Sequence, residues 1–193
     1  MKLIIASNNS HKVHEIKQIL SGKFEEILSL REANIDHETI EDGATFEENA
    51  LKKAREIASI SGQAALADDS GLCVNALGGA PGIISARYAG GGVKHSTDEE
   101  NNALLLKNLA EKDDRSAYFC SVIALVYPDG QQVLAEGKME GKIIDTPAGK
   151  GGFGYDPIFQ PKGETRTVAE LTDEEKNAIS HRGNALKKLL SQI

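Results

Sequence analysis

The chain has 193 residues, 40% of them hydrophobic and 26% charged, a composition typical of a soluble globular protein large enough to bury a core. With 22 basic and 29 acidic residues the net charge is −7, and no basic cluster occurs, which argues against a nucleic acid polymer as partner. No apolar run is long enough to act as a signal peptide or to span a membrane, so we expect no membrane partner and a cytoplasmic protein. Cys73 and Cys120 lack a CxxC spacing and lie in apolar stretches, which predicts buried thiols.

The first third of the chain alternates predicted strands and helices. Residues 2–6 predict a short buried strand, and a polar turn then leads into a helix over 12–20. Thr45 and Glu48 have the spacing of a capping box at the start of a second helix. Residues 64–67 predict a short strand ahead of Asp68.

The remainder contains a hairpin and two more predicted helices. After a glycine-rich loop over 77–92 we expect a helix over 99–110. A strand over 117–127, a turn at Pro128-Asp129-Gly130 and a strand over about 132–136 predict a hairpin, and 141–144 suggests a further strand. A capping box at Thr172 predicts a last helix running to about residue 190. The pattern predicts one α/β domain over 1–193, built on a mixed sheet flanked by helices.

The turn between the first strand and helix is a candidate phosphate-binding site. Such a turn directs backbone N–H groups and the positive end of the helix at one point, and a lysine adds a full charge. An ordinary capped turn would have the same pattern. The candidate triphosphate-binding residues are Ser7, Asn8, Asn9, Ser10, His11 and Lys12.

Adjacent carboxylates at Asp68 and Asp69 are the candidates for catalysis. Neighbouring strand residues point to opposite sides, so one carboxylate can face a site while the other anchors the structure. Asp69, with Glu41 from the stretch before the second helix, offers the hard oxygen ligands that Mg²⁺ prefers, and Asp69 could accept a proton from water. A solvated acidic turn is the alternative.

Two later segments combine aromatic and cationic side chains. In the segment 151–157, glycines allow close backbone approach, Phe153 or Tyr155 can stack on a flat ligand, and Asp156 can accept a hydrogen bond from a base or sugar. Lys176, His181 and Arg182 on the last predicted helix could bind phosphates or a purine carbonyl. A structural turn and a charged solvent-facing helix would account for the same residues.

Six motifs in order make the whole chain resemble the inosine triphosphate pyrophosphatase family. They are Ser7-x-Asn9-x-x-Lys12; residues 45–50; Ala67-Asp68-Asp69-Ser70-Gly71-Leu72; residues 77–82 with Ser85-Ala86-Arg87-Tyr88; residues 151–159; and residues 169–171 through Lys176 to Ser180-His181-Arg182. Each motif alone is weak, but their order is highly specific.

The resemblance implies hydrolysis of deaminated purine triphosphates (ITP, dITP and XTP) to monophosphate and pyrophosphate. It implies Mg²⁺ as cofactor, a homodimer, and an elongated mixed sheet with two lobes and the active site in the cleft. Asp69 would be a metal ligand and the proton acceptor. The residues implied to bind substrate are the turn 7–12, Ser70, Phe153, Gly154, Tyr155, Asp156, Lys176, His181 and Arg182.

The sequence departs from the family pattern at Ile40, where many members have a metal-binding glutamate, so Glu41 is the nominated ligand. The turn also has Ser7-Asn8 where many relatives have Thr-Gly. A Maf-type nucleotide pyrophosphatase, which prefers modified pyrimidines or methylated bases, is a rival interpretation that the segments 151–156 and 180–182 disfavour. A nucleotide-sensing or RNA-binding module would need a basic surface and would leave Asp69 without a role.

Overall fold

A computed structural model describes residues 1–193 and contains a six-stranded mixed sheet with five α-helices. The strands are β1 (Lys2–Ile5), β2 (Glu26–Ser29), β3 (Ala64–Val74), β4 (Ser116–Val126), β5 (Gln132–Ile143) and β6 (Phe159–Pro161). The helices are α1 (Ser10–Ile19), α2 (Phe46–Ser61), α3 (Asp98–Leu109), α4 (Asp173–Ile179) and α5 (His181–Leu190). None of these helices has both the length and the apolar character needed to cross a bilayer.

The sheet has the order β2-β1-β3-β4-β5-β6. β1 pairs in parallel with both β2 and β3, with Leu3 opposite Ile27 and Ala64, whereas β5 and β6 pair antiparallel. The predicted α/β fold with a mixed sheet and flanking helices is therefore confirmed.

The chain divides into two compact units. Unit 1 comprises Met1–Asp69, Ser121–Gly137 and Arg182–Ile193, and unit 2 comprises Ser70–Cys120 and Lys138–His181. Each unit has its own apolar core. In unit 1, Leu3 and Ile5 of β1 pack with Ile16 of α1 and Leu186 of α5. In unit 2, Leu72 of β3 packs with Leu105 of α3 and Phe159 of β6.

Helix starts follow the predicted capping chemistry closely. The box at Thr172 and Glu175 is complete, because each side chain binds the backbone N–H of the other residue. At α2, Thr45 accepts from the N–H of Glu48, whereas the Glu48 carboxylate binds the N–H of Ala44 instead of that of Thr45. Gly62 ends α2 in the left-handed conformation at φ 62°.

Four features of the secondary structure differ from the sequence predictions. β3 does not stop before Asp68 but continues to Val74, because Leu72 and Val74 are fully buried and the segment stays in the sheet. β5 is one strand over Gln132–Ile143 where two pieces were expected, and β2 was not predicted. The last predicted helix is two helices, because Ser180 between α4 and α5 is extended at φ −66° and ψ 156°.

Both cysteines are buried free thiols, as predicted. Burial raises the pKa of the Cys73 thiol above its usual value.

Candidate active site

The turn between β1 and α1, in unit 1, presents an exposed helix N-terminus. Asn9 is the N-cap, and its Oδ1 accepts from the backbone N–H groups of His11 and Lys12 at 3.0 and 3.1 Å. Ser7 Oγ accepts from the N–H of Asn9 at 3.1 Å, which closes the turn. Residues 8–11 are exposed, so the positive end of α1 is open to an anion.

Asp68 is the anchoring carboxylate of the pair on β3. Its Oδ2 lies 2.8 Å from Lys12 Nζ and 3.0 Å from Arg182 Nη2, and its Oδ1 accepts from Ser121 Oγ. Arg182 is fully buried and its Nη1 donates to Glu15. Although burial alone raises the pKa of Asp68, the charges of Arg182 and Lys12 hold it well below its ordinary value. Asp68 is therefore a buried anion that fixes the position of Lys12.

Asp69 points to a second group of residues, as strand alternation predicts. Its Oδ1 lies 3.1 Å from Lys53 Nζ, and its Oδ2 accepts from Asn49 Nδ2 at 3.4 Å. Burial raises the pKa of Asp69, and the charge of nearby Glu41 adds to this effect while the positive charge of Lys53 opposes it. A carboxylate with a raised pKa is a stronger base, which suits a proton acceptor.

Lys53 joins the predicted residues into one cluster. Its Nζ contacts Asp69 Oδ1 and Glu41 Oε1, each at 3.1 Å, and the backbone oxygen of Asp68 at 3.0 Å. Burial alone lowers the pKa of Lys53, but the carboxylates of Asp69 and Glu41 more than compensate and raise it. Lys12 Nζ reaches the same Asp68 oxygen at 3.5 Å. We call Lys12, Glu41, Lys53, Asp68 and Asp69 the carboxylate–lysine cluster.

The sequence interpretation missed Lys53 and Asn49 of α2. Both are buried and lie four residues apart among the apolar residues of that helix, and this spacing places them on one face. Two polar residues on the buried face of an amphipathic helix are a signal that could have identified them. Asn49 also accepts from the N–H of Gly43 at 2.8 Å, and a side chain at Gly43 would approach Asn49 Oδ1 to 2.6 Å.

The convergence of Asp69 and Glu41 fits a hard divalent cation. Both carboxylates contact the ammonium group of Lys53, so their negative charges are directed at one point, and a divalent cation bound there would compete with Lys53 for it. No group of three or more ligating His, Cys, Asp or Glu side chains occurs in the chain. Mg²⁺ is commonly held by one or two carboxylates together with phosphate oxygens and water.

A loop over residues 151–156 in unit 2, the aromatic loop, contains the predicted base-binding residues. Asp156 Oδ2 accepts from the N–H of Phe153 at 3.0 Å and from Lys176 Nζ at 2.8 Å. Lys176 Nζ lies 4.8 Å from the centroid of the Phe153 ring, a cation–π contact. A side chain at Gly152 would approach Asp156 Oδ2 to 2.1 Å, so this turn requires glycine.

The two aromatic rings of the loop differ in exposure. Tyr155 is buried, its hydroxyl donates to the backbone oxygen of Ser85 at 2.6 Å, and burial raises its pKa. Phe153 is half-buried and is therefore the ring that remains open to stacking. His181 is buried at the start of α5 and stacks on Phe119 with ring centroids 4.8 Å apart. Ser70 is half-buried within β3.

The chain matches the family model described as the Ham1 family over residues 3–192. A dITP/XTP pyrophosphatase of Clostridium perfringens is 52% identical, with 100% of this chain and 97% of that protein covered. A dITP/XTP pyrophosphatase of Mycobacteroides abscessus is 48% identical, with 100% and 95% covered.

Solved structures show the same fold. The Ham1 protein of Coxiella burnetii superposes with a TM-score of 0.87 at 44% identity, covering 100% of both chains. The Staphylococcus aureus Ham1 protein has a TM-score of 0.87 at 41% identity, covering 99% of this chain and 97% of that one.

Proposed function

The chain belongs to the Ham1 family, and from that premise we propose that it is a Mg²⁺-dependent pyrophosphatase of deaminated purine nucleoside triphosphates. It hydrolyses ITP, dITP and XTP to the monophosphate and pyrophosphate, and so removes them from the nucleotide pool. The pyrophosphatase activity is supported by two relatives, each called a dITP/XTP pyrophosphatase. Their sequences are 52% and 48% identical to this one over its full length. We further propose that Mg²⁺ is the metal ion, that the residues have the roles described below, and that the protein is a cytoplasmic homodimer.

The observation that carries the chemical proposal is the carboxylate–lysine cluster. Asp69 is buried, its pKa is raised, and it is oriented by Lys53 and Asn49. Water attacks a phosphorus of the α–β linkage, Asp69 takes the proton, and the bond to the bridging oxygen breaks to release pyrophosphate. Lys12 and Lys53 supply positive charge for the phosphates.

Asp69 and Glu41 are the residues that would hold Mg²⁺. When bound, the cation would offset negative charge on the phosphates and help to position water. The turn 7–12 would bind the triphosphate, because it lies at the exposed positive end of α1 and carries Lys12.

The aromatic loop and His181 would bind the base. Phe153 offers a ring for stacking, while Asp156 and Lys176 are held together as a buried pair beside it. Deaminated purines carry O6 where adenine carries an amino group, so a donor such as His181 or Arg182 would favour hypoxanthine and xanthine. Ser70 completes the proposed substrate-binding set. As placed, both terminal nitrogens of Arg182 contact carboxylates, so binding O6 with either would require an ion pair to open.

The test is an initial-rate panel of ITP, dITP, XTP, GTP, ATP and pyrimidine triphosphates, with phosphate detected by malachite green. We expect phosphate from the deaminated purines only when inorganic pyrophosphatase is added. Because that coupling enzyme itself needs Mg²⁺, the metal dependence is measured without it, by chromatographic separation of the monophosphate product, and we expect the monophosphate to form only with Mg²⁺. Phosphate release without the coupling enzyme would contradict α–β cleavage, and preferred turnover of the pyrimidine triphosphates would favour the Maf-type activity. Light scattering tests the proposed homodimer, and cell fractionation tests the cytoplasmic location.

A further inference from the structure

Two side chains of helix α3 form hydrogen bonds with the backbone of Gly154, which lies within the aromatic loop. One binds its N–H group and the other its carbonyl oxygen. Asp98, the first residue of α3, accepts from the Gly154 N–H at 2.7 Å through its Oδ2. Asn102, four residues later, donates from Nδ2 to the Gly154 carbonyl oxygen at 3.2 Å. Residues four apart lie on the same face of a helix, so α3 presents one acceptor and one donor to a single residue.

The Asn102 amide gives independent support for this arrangement. Its Oδ1 is buried without a hydrogen-bond partner, so the side chain keeps one donor bond to Gly154 while leaving an acceptor unsatisfied. A buried unsatisfied acceptor is unfavourable, and an apolar residue of similar size, such as leucine, would avoid it. The bond to Gly154 is therefore the evident physical reason for an asparagine at this position.

Gly154 is a point of the loop at which the backbone can rotate unless it is restrained. It adopts φ 62°, and nothing lies within 4 Å of where a side chain would be. Because glycine has the widest backbone freedom, rotation there would move the neighbouring Phe153 ring. The neighbouring residues of the loop have hydrogen bonds of their own: Phe153 donates to Asp156, and Tyr155 donates to Ser85. The hydrogen bonds to Gly154 come from Asp98 and Asn102 of α3.

We propose that Asp98 and Asn102 are positioning residues that fix the Gly154 backbone and thereby hold the Phe153 ring ready to stack on the base of the substrate. This proposal rests on the proposed function, because it assigns the aromatic loop to base binding. The two residues act through Gly154 and do not touch the reacting phosphates. Removing either should weaken substrate binding while leaving the chemical step intact.

The chain provides a matched control and a reporter for this proposal. Glu99 is exposed and also lies in the first turn of α3, so Glu99→Ala removes the same charge from the helix terminus without affecting Gly154. The protein has no tryptophan, so Phe153→Trp introduces a single indole fluorophore at the ring in question. In that background we expect Asp98→Ala to lower the anisotropy of the indole emission and to increase its quenching by acrylamide, and Glu99→Ala to change neither.

Kinetics with Phe153 intact then tests the effect on substrate. We expect Asp98→Ala and Asn102→Leu each to raise KM for dITP about five- to tenfold, the order expected when a loop must be immobilised on binding, with kcat changed less than about twofold. Asp98→Asn should recover most of the loss, because its side-chain oxygen can still accept from Gly154. Thermal unfolding confirms that each variant is folded.

The outcomes separate this proposal from the proposed function. Identical behaviour of Asp98→Ala and Glu99→Ala in both quenching and KM would overturn the positioning role, as would a loss confined to kcat. If the wild-type protein turned over no deaminated purine triphosphate, the proposed function would fail, yet the fluorescence comparison in the Phe153→Trp background would still decide whether α3 restrains the loop.

Discussion

Asp69 is the single residue on which the proposed chemistry depends most. Asp69→Asn keeps the shape of the side chain but removes the proton acceptor, so we expect kcat to fall by a factor of about 10² to 10⁴ while the fold is retained. Asp113→Asn, at an exposed position, is the control and should match the wild type. Initial rates with dITP and far-UV circular dichroism provide the measurements. Near wild-type turnover by Asp69→Asn would remove Asp69 from its catalytic role.

His181 and Arg182 are adjacent in sequence but have different surroundings. His181 stacks on Phe119, whereas Arg182 is enclosed by Asp68 and Glu15. If His181 donates a hydrogen bond to O6, His181→Ala should reduce the ITP-to-ATP ratio of kcat/KM about tenfold or more. The reason is that leaving a buried polar group without its hydrogen bond costs about 1–3 kcal/mol of binding free energy.

Arg182→Met provides the comparison for that prediction. Because Arg182 contacts Asp68, which in turn holds Lys12, we expect it to lower kcat/KM for all substrates alike and to leave the ITP-to-ATP ratio unchanged. The opposite pattern, with selectivity lost in Arg182→Met and kept in His181→Ala, would assign the base contact to Arg182.

At the scale of elements, α2 carries two residues that contact Asp69, so the start of this helix matters for the site. Thr45 caps it by accepting from the N–H of Glu48 at 3.1 Å. Thr45→Ala should lower the free energy of unfolding by about 1 kcal/mol, the usual contribution of an N-cap, and Thr45→Ser should restore it. Urea denaturation measures both variants. An equal loss in the serine variant would show that the methyl group, and not the hydroxyl, is what stabilises the helix start.

Elements governed by local chemistry were predicted from sequence, whereas those governed by distant packing were not. The turn at Asp129-Gly130 and the capping threonines are local signals, and both the hairpin and the helix starts are present. The continuation of β3 beyond Asp69 depends on its burial by segments that are distant in sequence. The residues around Asp69 do not indicate that burial by themselves. Lys53 was missed for the same reason, since its carboxylate partners come from other segments.

At the scale of the molecule, the surroundings of Asp68 connect distant parts of the chain. Lys12 and Glu15 come from α1, Ser121 from β4 and Arg182 from α5, and the Arg182–Glu15 contact joins residues 167 apart in sequence. The buried charges are individually unfavourable in a medium of low polarity, but they are paired with one another. Removing one charged partner leaves a buried charge without its counter-charge, which lowers the stability of unit 1. Because Lys12 is one of the partners of Asp68, the same network also fixes the position of Lys12.

The network predicts a defined dependence of stability on pH. The folded pKa of Asp68 lies well below the value of 3.8 for an unperturbed aspartate. Its ionised form therefore stabilises the protein fully above pH 3.8, and that contribution is lost as the pH falls toward the lower folded value. Asp68→Asn should lower the free energy of unfolding by about 3–5 kcal/mol at pH 7, as expected for breaking a buried ion pair.

The difference between wild type and Asp68→Asn should stay constant from pH 7 to pH 5 and narrow only below pH 3.8, because wild-type Asp68 then begins to take up a proton on unfolding. Urea denaturation at pH 7, 5 and 3.5 measures this difference. Asp113→Asn, at an exposed position, should differ from wild type by less than about 0.5 kcal/mol throughout. A difference that widens as the pH falls from 7 to 5 would mean that the folded pKa of Asp68 is raised, which is opposite to the effect of the Arg182 and Lys12 charges.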